Sequence, residues 1–309
     1  MDLTMVGLGR MGGNMARRLG RGGHSVTAVD PSPAARAAMA DEPGVVATHP
    51  TVADAVAAQD APRVVWLMLP AGSVTEGVMG ELREVLSPGD IVVDGGNADY
   101  RDSQRVAASM SDCGLGFVDV GVSGGVWGLE EGYGLMAGGS VPDVERLVPA
   151  LKTLAPAPDS GWVHAGPVGA GHFTKMVHNG IEYGAMQALA EGFALLEARD
   201  ELVTDVAAVA EAWRHGTVIR SWLLDLTASV LKDEAPLQGI APVVADSGEG
   251  RWTVRESIDT GVPAPVIAAA LMQRFSSQGN GDFANQLLAM MRNSFGGHAV
   301  EPRQESEDR

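Results

Sequence analysis

The stretch Leu3 to Gly12, LTMVGLGRMG, decides how the rest of the chain is read. A short apolar run ends in Gly7-Leu8-Gly9-Arg10-Met11-Gly12 and passes into the helix-like run Met11–Arg21. A G-x-G-x-x-G alone is weak evidence in a chain with 40 glycines. Between a strand and a helix it acquires a physical meaning. The first glycine permits the tight turn, the second lets a pyrophosphate approach the backbone, and the third lets helix and strand pack closely. The helix N-terminus then faces the phosphate charge. The alternative is a purely structural strand-to-helix turn.

The same alternation continues along the chain. HSVTAVD (24–30), RVVWLMLP (63–70), DIVVDGGN (90–97) and GFVDVGVSGG (116–125) are apolar runs closed by turn residues, with helix-like runs such as 103–111 between them. Strand, helix, strand at this spacing means βαβ units on a parallel sheet, with ligands outside the carboxyl ends of the strands. The Pro- and Gly-rich stretch APAPDSGWVHAGPVGAG (155–171) reads as a connection. Beyond it the pattern is helical over 171–199, 204–215, 218–232, 264–276 and 283–295. The expected fold is α/β: an N-terminal Rossmann doubly wound parallel sheet over 1–165, followed by an all-α domain over 166–309.

Bulk properties narrow the function. With 309 residues, 45% of them hydrophobic, the chain can bury a large core. A net charge of −17 argues against a nucleic-acid or anionic-membrane surface, which needs a basic face. A small anionic substrate fits if a few cations are focused locally. Cys113 is the sole cysteine, which excludes an intrachain disulfide and suits a reducing interior. No run is long and apolar enough to span a bilayer, and no room precedes the first strand for a signal peptide. A soluble, cytoplasmic protein is expected.

Asp30 ends the second strand, where a carboxylate can accept hydrogen bonds from ribose hydroxyls and repel an added 2′-phosphate. Pro31 and Ser32 follow, and the nearest arginine, Arg36, lies a helical turn or more away. This favours NAD over NADP. A helix N-cap is the alternative role for Asp30. Leu69, Pro70 and Asn97 follow the carboxyl ends of two later strands. They join Gly7, Leu8, Gly9, Arg10, Met11, Gly12 and Asp30 as expected cofactor residues.

A second motif is KMVHNGIEYG, Lys175–Gly184. On a helix, Lys175, His178, Asn179 and Glu182 stand at i, i+3, i+4 and i+7 and share one face. Met176, Val177, Gly180, Ile181, Gly184 and Ala185 fill the rest. A narrow polar stripe among apolar residues suggests a buried helix whose polar groups need partners, and a ligand could supply them. An exposed Lys–Glu face is the alternative. A buried Lys can act as a base and a protonated carboxyl as an acid. His172 and His178 are poorly spaced for a shared metal, and no metal is expected.

These blocks resemble the decarboxylating 6-phosphogluconate dehydrogenases of the β-hydroxyacid dehydrogenase superfamily. The similarity runs through VGLGRMGGNMARRL, DGGNADYRDS, DVGVSGGVWGLEEGYGLMAGG, GPVGAGHFTKMVHNGIEYGAMQ, GRWT, QRFSSQ and RNSFGGHAVE, nearly the whole chain. The resemblance implies that Lys175 is the general base at the substrate C3 hydroxyl and that Glu182 protonates C1 after CO2 is lost. Asn97, Ser123, Gly124, Gly125, His178 and Asn179 would orient the sugar acid. Tyr183, Arg251 and Arg274 would bind the phosphate, with Arg292 and His298 of a C-terminal segment completing the phosphate site of a neighbouring subunit. Arg251 stands where the family commonly has Lys. The helical part is also short, as in the NAD-linked branch. The implied assembly is a homodimer or homotetramer, the implied cofactor NAD and the implied substrate 6-phosphogluconate. The rivals are a β-hydroxyacid dehydrogenase acting on another acid and a catalytically silent dinucleotide-binding protein.

Overall fold

The computed structural model describes residues 1–232, 237, 239–296 and 299–301. The described chain divides into two compact units, Met1–His178 and Asn179 onward.

In the first unit the strands are β1 (Asp2–Val6), β2 (Ser25–Val29), β3 (Val45–His49), β4 (Val64–Leu67), β5 (Ile91–Asp94), β6 (Gly116–Ser123), β7 (Gly134–Gly139) and β8 (Trp162–Gly166). They form one sheet in the order β3-β2-β1-β4-β5-β6-β7-β8. Every neighbouring pair is parallel except β6 and β7. The first six strands thus follow the doubly wound order of a dinucleotide-binding sheet. The helices are α1 (Arg10–Arg21), α2 (Pro33–Ala37), α3 (Val52–Ala57), α4 (Ser73–Val85), α5 (Tyr100–Ser111), α6 (Gly128–Glu131) and α7 (Val141–Leu154).

Burial explains the two-sided architecture. On one face Met15, Ala16 and Leu19 of α1 and Leu147, Leu151 and Leu154 of α7 pack on Leu3, Met5, Val26, Trp66 and Val93. On the other, Val52 and Val56 of α3, Met79 and Leu82 of α4 and Met110 of α5 pack on Val6, Val65, Leu67 and Val92. Strands covered on both faces must be apolar at consecutive positions, which is why β4 (VVWL) is apolar throughout and β5 is apolar up to its last residue, Asp94. In β1 the buried Thr4 is the exception, its hydroxyl donating to Gln59 Oε1 at 2.9 Å. Side-chain caps set several helix starts. Ser32, Thr51, Asp99 and Ser140 each accept a first-turn backbone N–H.

Three strands depart from the sequence reading: β3, β8 and the Gly-rich β7 (GLMAGG), whose three glycines read as turn rather than strand. β3 is an edge strand with Val46 exposed. The connection read over 155–171 contains β8, at the opposite edge of the sheet. Edge strands need cover less apolar surface, so their sequences lack the run that marks β4.

Helix α8 (Ala170–Glu197) continues from the first unit into the second without a break. It is followed by α9 (Val206–Trp213), α10 (Trp222–Leu231), α11 (Glu249–Thr260), α12 (Pro265–Ser277) and α13 (Asp282–Gly296). α10 starts four residues later than the pattern from Val218 suggests. Ser221 caps it, its Oγ accepting the Leu224 N–H at 3.2 Å. Within this unit Phe193, Ala210, Leu224 and Ala228 form one buried group, and Tyr183, Ala270 and Leu271 another.

Candidate active site

The glycine loop closes β1 against the start of α1. Gly7 adopts φ +90° and donates its N–H to the Val29 carbonyl at 2.8 Å. A β-carbon on Gly12 would stand 1.9 Å from the Gly7 carbonyl oxygen, so only glycine permits this packing. Gly9 differs: a β-carbon there would meet nothing within 4 Å. The loop is therefore closed where it must pack and open where a phosphate must approach, beside the N-terminus of a 12-residue helix.

Asp30 is joined to that loop. Its Oδ2 accepts the Leu8 N–H and its Oδ1 the Ser32 N–H, both at 2.8 Å. The cap of α2 is Ser32, not Asp30, which removes the N-cap alternative. Arg36 is nearer than its sequence spacing suggests. Its Nη1 donates to the backbone carbonyls of Asp30 at 2.7 Å and Pro31 at 3.0 Å. Because α2 begins at Pro33, its first turn folds the guanidinium back over the end of β2. Asp30 and the Gly9 opening fit the ribose and pyrophosphate of a dinucleotide, with the carboxylate anchored by two backbone donors.

Leu69 and Asn97 line one pocket with Thr75, Asp94 and Ser103, at the carboxyl ends of β4 and β5. Pro70 is exposed beside it. Gly96 turns its N–H to Asp94 Oδ1 at 3.0 Å, which holds the loop that carries Asn97. Ser123 ends β6, and Gly124 and Gly125 follow with φ +131° and +54°. Asn14 of α1 donates to the Val126 carbonyl just beyond them at 3.5 Å.

Lys175 lies in the first two turns of α8 and is 9% exposed. Its stem rests against β6, where a β-carbon on Gly121 would stand 2.4 Å from the Lys175 Cβ. Asp119, also on β6, holds the start of α8. Its Oδ1 accepts the Gly169 N–H at 2.6 Å and its Oδ2 the His172 N–H at 2.8 Å. Burial pushes the Asp119 carboxyl above its ordinary range, against the lowering effect of His172 and the backbone donors. His172 is buried and meets Ser103 Oγ through Nδ1 at 2.7 Å. The sequence reading passed over Asp119. Its signal is the strand alternation of Asp119, Gly121 and Ser123, which puts all three on one face.

The stripe itself is not uniformly buried. Along α8, Lys175 is buried, Asn179 and Glu182 are partly covered, and His178 is exposed. The expectation of a buried face holds at its start only. Ile181 is also exposed, at 60%. Within the second unit, three of the expected phosphate residues gather around residues 245–251. The Tyr183 ring packs on Gly250, where a β-carbon would approach it to 2.5 Å. The Arg274 guanidinium lies 3.4 Å from the centre of the same ring and donates to the Ala245 carbonyl at 2.8 Å. Arg251 stacks on Phe275 at 4.4 Å and pairs through Nε with Asp246. The Tyr183 hydroxyl meets Ser247 Oγ at 3.3 Å, and Ser247 donates to the buried Glu249 at 2.6 Å. Ser247 and Glu249 were not singled out from sequence, since a buried acid is invisible without the fold. Arg292 is exposed on α13, and His298 lies outside the described residues.

Residues 2–166 match the family described as the NAD binding domain of 6-phosphogluconate dehydrogenase, and residues 171–308 match the 6-phosphogluconate dehydrogenase C-terminal domain. The chain belongs to the 6-phosphogluconate dehydrogenase family. An NAD(+)-dependent, decarboxylating 6-phosphogluconate dehydrogenase of Haloferax volcanii is 41% identical over 97% of this chain and 98% of its own length. A Bacillus subtilis relative of the same name is 35% identical over 89% of this chain, but only 61% of its own length is matched. The 6-phosphogluconate dehydrogenase of Plasmodium falciparum superposes with a TM-score of 0.83 at 26% identity, covering 99% of this chain and 67% of that one. The chain thus matches nearly the whole length of the Haloferax protein and about three fifths of the Bacillus one.

Proposed function

We propose that the chain is an NAD-dependent, decarboxylating 6-phosphogluconate dehydrogenase. The observation that carries this reading is α8, a continuous helix that seats Lys175 against β6 and presents Glu182 two turns later on the same face. Simple hydroxyacid oxidation needs a base but no such second acid, which disfavours the rival dehydrogenase.

Bound NAD would supply the hydride acceptor. The glycine loop and Asp30 would hold its pyrophosphate and ribose, with Leu69, Pro70 and Asn97 beside it. Lys175 takes the proton of the substrate C3 hydroxyl as the C3 hydride leaves. The β-keto acid then loses CO2 while Lys175 returns its proton to the carbonyl oxygen. Glu182 protonates C1 of the enediol to give ribulose 5-phosphate. Asn97, Ser123, Gly124, Gly125, His178 and Asn179 orient the sugar acid. Tyr183, Arg251 and Arg274 take the phosphate. Each arginine has five N–H donors, so the observed bonds to Asp246 and Ala245 leave capacity for phosphate oxygens. Arg251 in place of the usual Lys adds a planar fork suited to that group.

The assembly is a homodimer or homotetramer in which the C-terminal segment, with Arg292 and His298, completes a neighbour's phosphate site. Support comes from α13, where every residue from Asp282 to Arg292 is exposed, including Phe283 at 76%. Exposed apolar surface of this extent marks an association site. The enzyme acts in the cytoplasm, where phosphorylated sugar acids and NAD are found together, and serves the pentose phosphate pathway in gluconate utilization. No described helix is long and apolar enough to cross a membrane.

The test is a spectrophotometric assay with 6-phosphogluconate, run separately with NAD and NADP, with CO2 measured alongside. Reduction of NAD with one CO2 per turnover is expected. No reduction of either cofactor would sink the reading, while faster turnover with NADP would overturn only the argument from Asp30.

A further inference from the structure

Asp119, Gly121 and Ser123 alternate along β6 and so project from one face of the strand. Each meets a different part of the site. Asp119, fully buried, takes the N–H groups of Gly169 and His172. Gly169 immediately precedes α8 and His172 lies in its first turn, where backbone N–H groups have no intrahelical acceptor. The two bonds fix where α8 begins along the strand. Gly121 lets the helix lie close at the next position. A β-carbon there would fall 2.4 Å from Lys175 Cβ and 2.8 Å from the Gly171 carbonyl oxygen. Gly171 makes the reciprocal approach, its own absent β-carbon falling 2.3 Å from the Asp119 carbonyl oxygen. Helix and strand are thus locked in both directions, along the strand by Asp119 and toward it by the two glycines. Alternate residues of a strand are about 6.6 Å apart, so Ser123 stands at a fixed step beyond Gly121.

We propose that Asp119 and Gly121 are positioning residues that set the Lys175 side chain at a defined distance from Ser123 and hence from the substrate hydroxyl. The proposal rests on the reading of Lys175 as the base. Neither residue touches substrate. Asp119 acts through the start of α8, and Gly121 acts through the Lys175 stem.

The test compares four variants of the whole chain: Gly121→Ala, Asp119→Asn, Val118→Ala and Lys175→Met. Val118 is fully buried in the same strand and belongs to the core packed by α7, so it reports loss of packing alone. Measurements are kcat, KM for 6-phosphogluconate, NAD affinity and the pH profile of kcat. In Gly121→Ala, kcat is expected to fall about 100-fold with NAD affinity kept, since a misplacement of about 1 Å costs that much. Asp119→Asn keeps the shape but turns an amide NH2 toward a backbone N–H. It should lower kcat about tenfold with little change in KM, on the same positional argument. In both, the acid limb of the kcat profile should move, because the surroundings of the base have changed. Val118→Ala should lose stability but keep kcat and its pH profile.

Parental kcat and pH profile in Asp119→Asn, or in a folded Gly121→Ala, would overturn the proposal while an inactive Lys175→Met left the base reading intact. An equal loss of kcat in Val118→Ala would also overturn it, by showing a packing effect. If Gly121→Ala fails to fold, Asp119→Asn decides. Turnover retained in Lys175→Met would instead remove the base reading itself.

Discussion

The first unit covers its sheet on both faces, and Trp66, Leu19 and Leu147 of its core are fully enclosed, though Trp127 beyond β6 is half exposed. The second unit, with five complete helices of its own among the described residues, leaves Leu195, Val218, Trp222, Phe283 and Leu288 about half or more exposed. The first unit has a closed core, whereas the second has helical faces left exposed among the described residues. Burial of apolar surface is the dominant favourable contribution to folding, so the second unit has the more to gain from a partner.

The comparison can be broken in several ways. The largest effect should come from Lys175→Met, which removes the proposed base from the first unit without touching its core. Turnover should fall by about 10²–10⁴-fold or more, with NAD binding kept in a fluorescence titration. Loss of NAD binding would mean that Lys175 holds the fold. Next comes Leu147→Ala, which opens a cavity in the two-sided core. It should cost about 2–5 kcal/mol, read as a lower denaturant midpoint. A cost near zero would show that the first unit is not the closed core described. On α13, Leu288→Glu should leave that midpoint unchanged at high dilution but lower the assembly mass in light scattering. An unchanged mass would sink the proposed role of α13 in association.

The smallest effects concern pH, and the two units should differ in sign. Burial raises the Asp119 carboxyl. Its contribution is therefore fully present below the ordinary carboxylate range and is lost as pH rises through its raised value. Hydrogen bonds from Arg214, then His215, lower Glu211 on the surface of the second unit. Its contribution is present above the ordinary carboxylate range and is lost as pH falls through its lowered value. Thermal melts across mildly acidic pH should show Asp119→Asn losing a slope that Glu211→Gln keeps. Because Glu211 is exposed and its ion pairs are screened, its variant should melt only slightly below the parent at neutral pH. Slopes of the same sign in both would contradict the two assignments.

Legibility followed burial. Central strands such as β4 had to be apolar throughout, and the loop at Gly7 needed glycines at fixed positions, so both could be read directly. β3 and β8 are edge strands with partly exposed residues and Gly or Pro nearby, and turn signals masked them. The spacing of Lys175, His178, Asn179 and Glu182 gave their shared face, but their burial depends on neighbours that only the fold brings near. Arg36 shows the same limit. Six residues from Asp30 in sequence, its guanidinium still reaches the Asp30 carbonyl because α2 starts where Ser32 caps it. The alternation of Asp119 with Gly121 and Ser123 shows only which face of β6 it shares, and Glu249 has not even that, since a buried carboxylate is recognised by its donors.

The missing side chain at Gly121 bears on how such a site could be moved or altered. A lysine grafted onto a similar helix of another protein would arrive without the notch that receives its stem. Enlarging the substrate pocket along β6 would meet the same constraint, because an added methyl group at position 121 would occupy the lysine's place. The portable unit is therefore a strand and a helix that interlock, with the lysine proposed as base as its visible part.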